Sequence, residues 1–141
     1  MAKALRFLRL APPDRRLLLW SACLLAAVRL GLWFLPFGSV QRLLARRTRV
    51  RRRASVERIA WAVTVAGRYV PRSTCLVQAL AAEAMLRACG HPASLHIGVA
   101  RRPGGGLEAH AWVESDERIV LGGLANLQRY TRLPPVRGEA P

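Results

Sequence analysis

Acidic residues, lysine and cysteine are scarce in this chain of 141 residues. It holds 8 Asp plus Glu against 23 Lys plus Arg, for a formal net charge of +15, and Lys3 is its only lysine. With 3 cysteines, 11 glycines and 9 prolines, the composition excludes disulfide-scaffold and collagen-like classes. The odd cysteine count and the lack of a Cys-x-x-Cys pair favour a reducing compartment, so we expect a cytoplasmic protein. The length favours one domain with a short arm.

The positive charge is concentrated at the start of the chain. Residues 1–53 hold 13 basic groups and one acid, Asp14, whereas residues 54–141 hold 10 basic groups against 7 acids. This change predicts a basic helical N-terminal arm, residues 1–53, and a C-terminal core, residues 54–141. Six of the eight residues from Arg46 to Arg53 are arginines. Such a run is either a solvated linker or a segment that binds an acidic peptide, an anionic lipid or a nucleic acid.

One hydrophobic run raises the question of a membrane. Leu17 to Phe37 is 21 residues long and contains one charge, Arg29. That length can span a bilayer, but an arginine near its middle costs about 2.5–3.5 kcal/mol on insertion scales. We therefore expect helices that pack on the body, and peripheral membrane contact through Trp20, Trp33 and Phe34 remains an alternative.

Hydrophobic periodicity predicts an α+β protein. Ser55 and the pair Ser73-Thr74 are suited to cap the starts of two helices, and Gly90 to end the second. The expected helices cover about 14–30, 40–47, 55 to before Pro71, 75–89 and, as a short piece, 124–130. The expected strands cover 94–100, 108–114 and 118–121, the last two forming a hairpin.

Cys75 and His110 are the candidate catalytic pair. Cys75 falls on the first turn of a predicted helix, where the positive end of the helix dipole favours the thiolate. His110 lies in a strand that can fold back to the helix start, which is the arrangement of thiol acyl transfer. Spacing alone favours a simpler interpretation, a buried structural cysteine and a structural histidine.

Three segments resemble a known family. They are Ser73-Thr-Cys-Leu-Val-Gln-Ala-Leu through Cys89-Gly-His-Pro-Ala93, then Leu95-His-Ile-Gly-Val99, then Ala109-His-Ala-Trp-Val-Glu114. A Cys that opens a helix, a Gly-x-Pro-Ala turn, a Gly-Val strand and a His-Ala-Trp-Val-Glu strand occur in that order. This pattern resembles the leader-peptidase part of lasso-peptide B proteins, which have a transglutaminase-like, papain-like fold.

The resemblance implies a fold and a function. The nucleophile helix would pack on a small antiparallel sheet, after an N-terminal helical arm. The protein would be a stand-alone cysteine peptidase that removes the leader from a ribosomally made precursor. The freed amine would then be used by a separate lasso cyclase. Its partners would be the leader and a separate winged-helix recognition protein, with no cofactor, metal or nucleic acid.

The third catalytic residue departs from the family pattern. Family members often carry an Asp twelve residues after the His, and here that position is Gly122. The group that orients His110 therefore stays open among an amide of Asn126 or Gln128, a backbone carbonyl and water. Trp112 shares the face of His110 and is expected either to wall a substrate-binding site or to pack in the core. The backbone N–H of Cys75 is the expected oxyanion donor.

The same sequence also allows other functions. Cys89, His91 and His96 fit no standard zinc spacing, so no metal site is expected. A basic protein bound to membrane or nucleic acid, with structural Cys and His, is one alternative. A transglutaminase-type acyltransferase using the same Cys–His dyad is the other.

Overall fold

A computed structural model of the chain describes residues 1–45, 54–124 and 126–134. The arginine-rich segment 46–53 lies outside these ranges. The protein is a mixture of α-helices and one antiparallel sheet, as expected for the α+β class. The helices are α1 (Ala2–Leu8), α2 (Pro12–Phe34), α3 (Phe37–Ala45), α4 (Val56–Gly67), α5 (Cys75–Ala88) and a short 3-10 helix (Leu127–Arg129); the strands are β1 (Ser94–Arg101), β2 (Leu107–Ser115), β3 (Arg118–Leu121) and β4 (Thr131–Arg132).

Local capping sets the starts of α4 and α5. The Ser55 hydroxyl accepts a hydrogen bond from the Arg58 N–H at 3.2 Å, and the Thr74 hydroxyl accepts one from Val77 at 3.3 Å. Both predicted caps are confirmed. At the other end of α5, Gly90 has a φ of +84°, the left-handed conformation that glycine adopts without strain. These signals fix the position of Cys75 as the first residue of α5.

The sheet has the strand order β3-β2-β1-β4. Side chains alternate between its two faces. Ala111 and Val113 of β2 belong to the hydrophobic core under α5, so His110 and Trp112 lie on the opposite face. The register places His110 directly opposite Gly98 of β1. The predicted hairpin of β2 and β3 is confirmed, whereas β4 was not expected.

The N-terminal helices share one core with the rest of the chain. On α2 the inward side chains include Leu24, Leu25 and Val28, which belong to the same buried cluster as α4 and α5. The buried Ser21 hydroxyl lies 3.5 Å from the sulfur of Met85 on α5. The expected packing of this hydrophobic run on the body is therefore confirmed.

Two details of the N-terminal helices differ from expectation. α2 continues through Gly31 to Phe34 instead of ending near residue 30. A Cβ at Gly31 would lie 3.4 Å from Val40, so the glycine lets α3 approach α2 closely. The helix predicted over 40–47 begins earlier, at Phe37, and its Leu43 is 53% exposed because Val40 and Leu44 take the inward positions.

The length and composition of α2 would also allow it to cross a membrane. Its most apolar 18-residue window has a mean hydropathy of 1.9, and 33% of that window is buried inside the protein. A buried helix of a soluble protein meets the same criterion, so hydropathy alone does not decide where α2 lies.

Candidate active site

Cys75 occupies the N-terminus of α5 and is exposed to solvent. The hydroxyl of Thr74 accepts a hydrogen bond from the N–H of Val77. The N–H groups of Cys75 and Leu76 lie in the first turn, where a backbone N–H has no acceptor within the helix. These two donors and the positive end of the helix dipole favour negative charge at this point. Cys89, by contrast, is buried at the far end of the same helix.

The ring of His110 is held by a backbone carbonyl. Its Nε2 lies 2.6 Å from the carbonyl oxygen of Gly122. A carbonyl oxygen only accepts hydrogen bonds, so Nε2 must carry the proton in this contact. In the neutral ring Nδ1 is then the unprotonated nitrogen. The arrangement leaves Nδ1 as the atom of His110 that can take a proton from a thiol.

Gly122 owes its role to its lack of a side chain. Its φ is +79°, and a Cβ there would lie 2.7 Å from the Ala111 carbonyl oxygen and 3.1 Å from the Trp112 Cα. An aspartate does not fit this backbone, which accounts for the departure from the family pattern at this position. Asn126 and Gln128 are exposed, and within residues 126–134 neither side chain is hydrogen bonded to His110.

Tyr130 closes over the same ring, and sequence reasoning did not single it out. Its ring centroid lies 5.7 Å from that of His110, at 49°. Gly98 makes room for it, since a Cβ at that position would lie 2.9 Å from the Tyr130 Cβ. Burial raises the pKa of Tyr130 above its ordinary value, and the nearby Glu108 carboxylate adds to the rise. Tyr130 therefore keeps its hydroxyl proton at neutral pH.

The two candidate catalytic residues come from elements that pack on each other, α5 and β2. In the described parts of the chain no hydrogen bond joins Cys75 to His110. Catalytic hydrogen bonds often tighten only in the complex with substrate, so the lack of this bond in the free protein is compatible with a dyad.

Trp112 forms the layer between two histidines. It stacks on His110 with centroids 6.3 Å apart at 19°, and on His96 at 5.7 Å and 24°. Its side chain is only 1% exposed, so the indole offers almost no surface to a substrate. Of the two roles expected for Trp112, core packing is the one that this burial favours. The indole supports the His110 ring within the sheet face.

The remaining polar candidates have other partners. The Glu114 carboxylate receives the Trp112 indole N–H at 3.2 Å and a guanidinium N–H of Arg132 at 2.9 Å, and it lies 3.3 Å from the His96 Nε2. His91 contacts the Ala54 carbonyl at 2.7 Å, away from His110. Over the residues that the structure describes, no group of three or more His, Cys, Asp or Glu is arranged to hold a metal ion.

The fold agrees with that of a known superfamily. A family model described as the Transglutaminase-like superfamily matches residues 18–134, which cover most of the chain and include both Cys75 and His110. The chain belongs to this superfamily. Its members generally use cysteine-dependent catalysis. No curated protein and no solved structure is significantly similar to the chain.

Proposed function

We propose that this protein is a cysteine peptidase that removes the leader from a ribosomally made lasso-peptide precursor. The observation that carries the proposal is the bond from His110 Nε2 to the Gly122 carbonyl, which leaves Nδ1 as the free base of a histidine on β2, the strand that packs against the helix begun by the exposed Cys75. Superfamily membership supports the cysteine chemistry. The choice of a lasso precursor rests on the resemblance of the three sequence segments.

The proposed reaction begins with a proton transfer. Nδ1 of His110 takes the proton of the Cys75 thiol, and the thiolate attacks the carbonyl carbon at the junction of leader and core peptide. The N–H of Cys75 stabilises the oxyanion of the tetrahedral intermediate. His110 returns the proton to the leaving nitrogen, so the core peptide departs as a free amine. Water then hydrolyses the leader thioester to a carboxylic acid and restores the thiol.

We further propose that the leader is delivered by a separate winged-helix recognition protein and that a lasso cyclase uses the product. Four arginines of segment 46–53, Arg49, Arg51, Arg52 and Arg53, are the proposed docking site for an acidic surface. This step rests on the charge of the sequence. Electrostatic docking is screened at a Debye length of about 8 Å at physiological salt, so processing with the partner is expected to slow as salt rises.

The function is tested by reconstitution with precursor and recognition partner. Cys75→Ala and His110→Ala are expected to abolish release of the leader while the proteins stay folded. The matched controls, Cys89→Ala and His96→Ala, alter the same residue types away from the proposed dyad and are expected to remain active. Activity that survives in Cys75→Ala would contradict the proposal.

Product masses distinguish hydrolysis from acyl transfer. A leader that ends in a free carboxylic acid is the expected product of a peptidase. A leader joined to an added amine would assign the alternative transglutaminase-type activity, because the acyl-enzyme half of the reaction is shared. Absence of any acyl product would favour a binding protein with structural Cys and His.

A further inference from the structure

The outward face of α2 is apolar along most of its length. Four of its large side chains are more than half exposed: Leu19 at 55%, Leu30 at 52%, Trp33 at 67% and Phe34 at 78%. Smaller exposed residues continue the stripe between them at helical spacing, namely Cys23, Ala26 and Ala27. We call these seven residues the outer stripe. A contiguous exposed apolar surface of this kind often marks an interaction site, whereas single exposed apolar residues are common and need no such explanation.

The opposite face of α2 is committed to the protein core. Leu24, Leu25 and Val28 are at most 3% exposed and belong to the cluster shared with α4 and α5. Crossing a bilayer would require α2 to leave this core. The outer stripe can therefore meet an apolar phase only with α2 lying along its surface.

Positive charge predominates in the helices that include the outer stripe. Residues 1–45 contain seven basic side chains and a single acid, Asp14, which is paired with Arg58. The basic residues are Lys3, Arg6, Arg9, Arg15, Arg16, Arg29 and Arg42. The guanidinium of Arg29 lies over the Trp33 ring, 5.9 Å from its centroid, at the most exposed end of the stripe. This part of the molecule thus combines an exposed apolar face with an excess of positive charge, and Arg29 lies at the stripe itself.

We propose that the outer stripe docks on an anionic lipid surface, with α2 parallel to the membrane plane. Trp33 and Phe34 would enter the interface, where aromatic rings are favoured, and the arginines would meet lipid phosphates. Basic residues close to an anionic leaflet strengthen such binding. A second copy of this chain is a poorer occupant, because pairing two outer stripes brings two positively charged regions together.

The proposal is tested by vesicle co-sedimentation of the full chain. Vesicles of phosphatidylcholine mixed with phosphatidylglycerol are expected to bind the protein, and pure phosphatidylcholine to bind it weakly. Replacing both Trp33→Gln and Phe34→Gln is expected to weaken binding at least about tenfold, since affinity scales with the apolar area inserted. Added salt should also weaken it, because the electrostatic part is screened. The control Trp61→Gln removes an exposed aromatic of α4 and is expected to bind as the parent.

Three results would overturn the proposal. The first is absence of binding to the phosphatidylglycerol vesicles. The second is equal binding by the Trp33/Phe34 double variant and the parent, as would occur if segment 46–53 alone bound the lipid. The third is a parent dimer in lipid-free solution that the double variant converts to a monomer, which would assign the stripe to a contact between copies. None of these measurements depends on peptidase activity.

Discussion

Gly122→Ala tests how His110 is oriented. Alanine at a φ of +79° is strained, and its Cβ would lie 2.7 Å from the Ala111 carbonyl oxygen, which belongs to the sheet and cannot move freely. A non-glycine residue held in such a conformation costs on the order of 1–3 kcal/mol. The local backbone is expected to relax instead, and that movement takes the Gly122 carbonyl away from the His110 Nε2.

The loss of this hydrogen bond should change both the tautomer of the His110 ring and the rate of cleavage. Long-range proton–nitrogen NMR of the His110 ring is expected to show the Nε2–H form in the parent and a mixture of tautomers in Gly122→Ala. General base catalysis contributes about 10²–10⁴-fold, so we expect cleavage of the proposed substrate to fall by about 10²-fold. Gly123→Ala is the matched control, because its Cβ would meet only a side-chain atom of Ile119 at 3.4 Å.

The tautomer measurement tests how the Gly122 carbonyl orients His110, independently of the proposed function. A parent ring in the Nδ1–H form, or a Gly122→Ala variant with the parental tautomer and rate, would refute the role of the carbonyl. The NMR signal needs no substrate, so it remains informative if leader cleavage is not observed. It also remains informative on the parent alone if Gly122→Ala does not fold.

Two further predictions concern stability. Gly98→Ala would bring a Cβ within 2.9 Å of the Tyr130 Cβ and 3.0 Å of the Trp112 ring, so chemical denaturation should show a loss of about 1–3 kcal/mol from overpacking. Burial raises the pKa of Glu83, so its contribution to the free energy of unfolding is present at low pH and is lost as pH rises through the folded pKa. Glu83→Gln should remove that pH dependence and raise the stability at neutral pH; an unchanged pH profile of denaturation would contradict this.

Much of the scaffold could be predicted because its signals are local. The caps at Ser55 and Thr74 are set by side chains that bond three residues along the chain. The alternation in β2 correctly separates the core residues from the face that carries His110. These features place Cys75 at a helix start and His110 on a strand without knowledge of the tertiary structure.

The groups around His110 could not be predicted in the same way. The acceptor for its Nε2 is a main-chain oxygen, which every residue has, so residue type does not mark Gly122. The only sign in the sequence was that Gly122 stands at the position where the family pattern has an Asp. Tyr130 comes from a short irregular segment without periodicity, and its contact with the site depends on the space left by Gly98. Burial of Trp112 likewise depends on where this segment lies beside the sheet.

The central claim is that Cys75 is the nucleophile of a leader peptidase. The most direct measurement uses a leader peptide whose C-terminus carries a Michael acceptor in place of the scissile carbonyl. After incubation with the full chain and recognition partner, digestion and mass spectrometry locate the thioether. We expect an adduct on Cys75, formed more slowly in His110→Ala, while Cys23, which is also exposed, stays unmodified. An adduct on Cys23 or Cys89 in its place would contradict it.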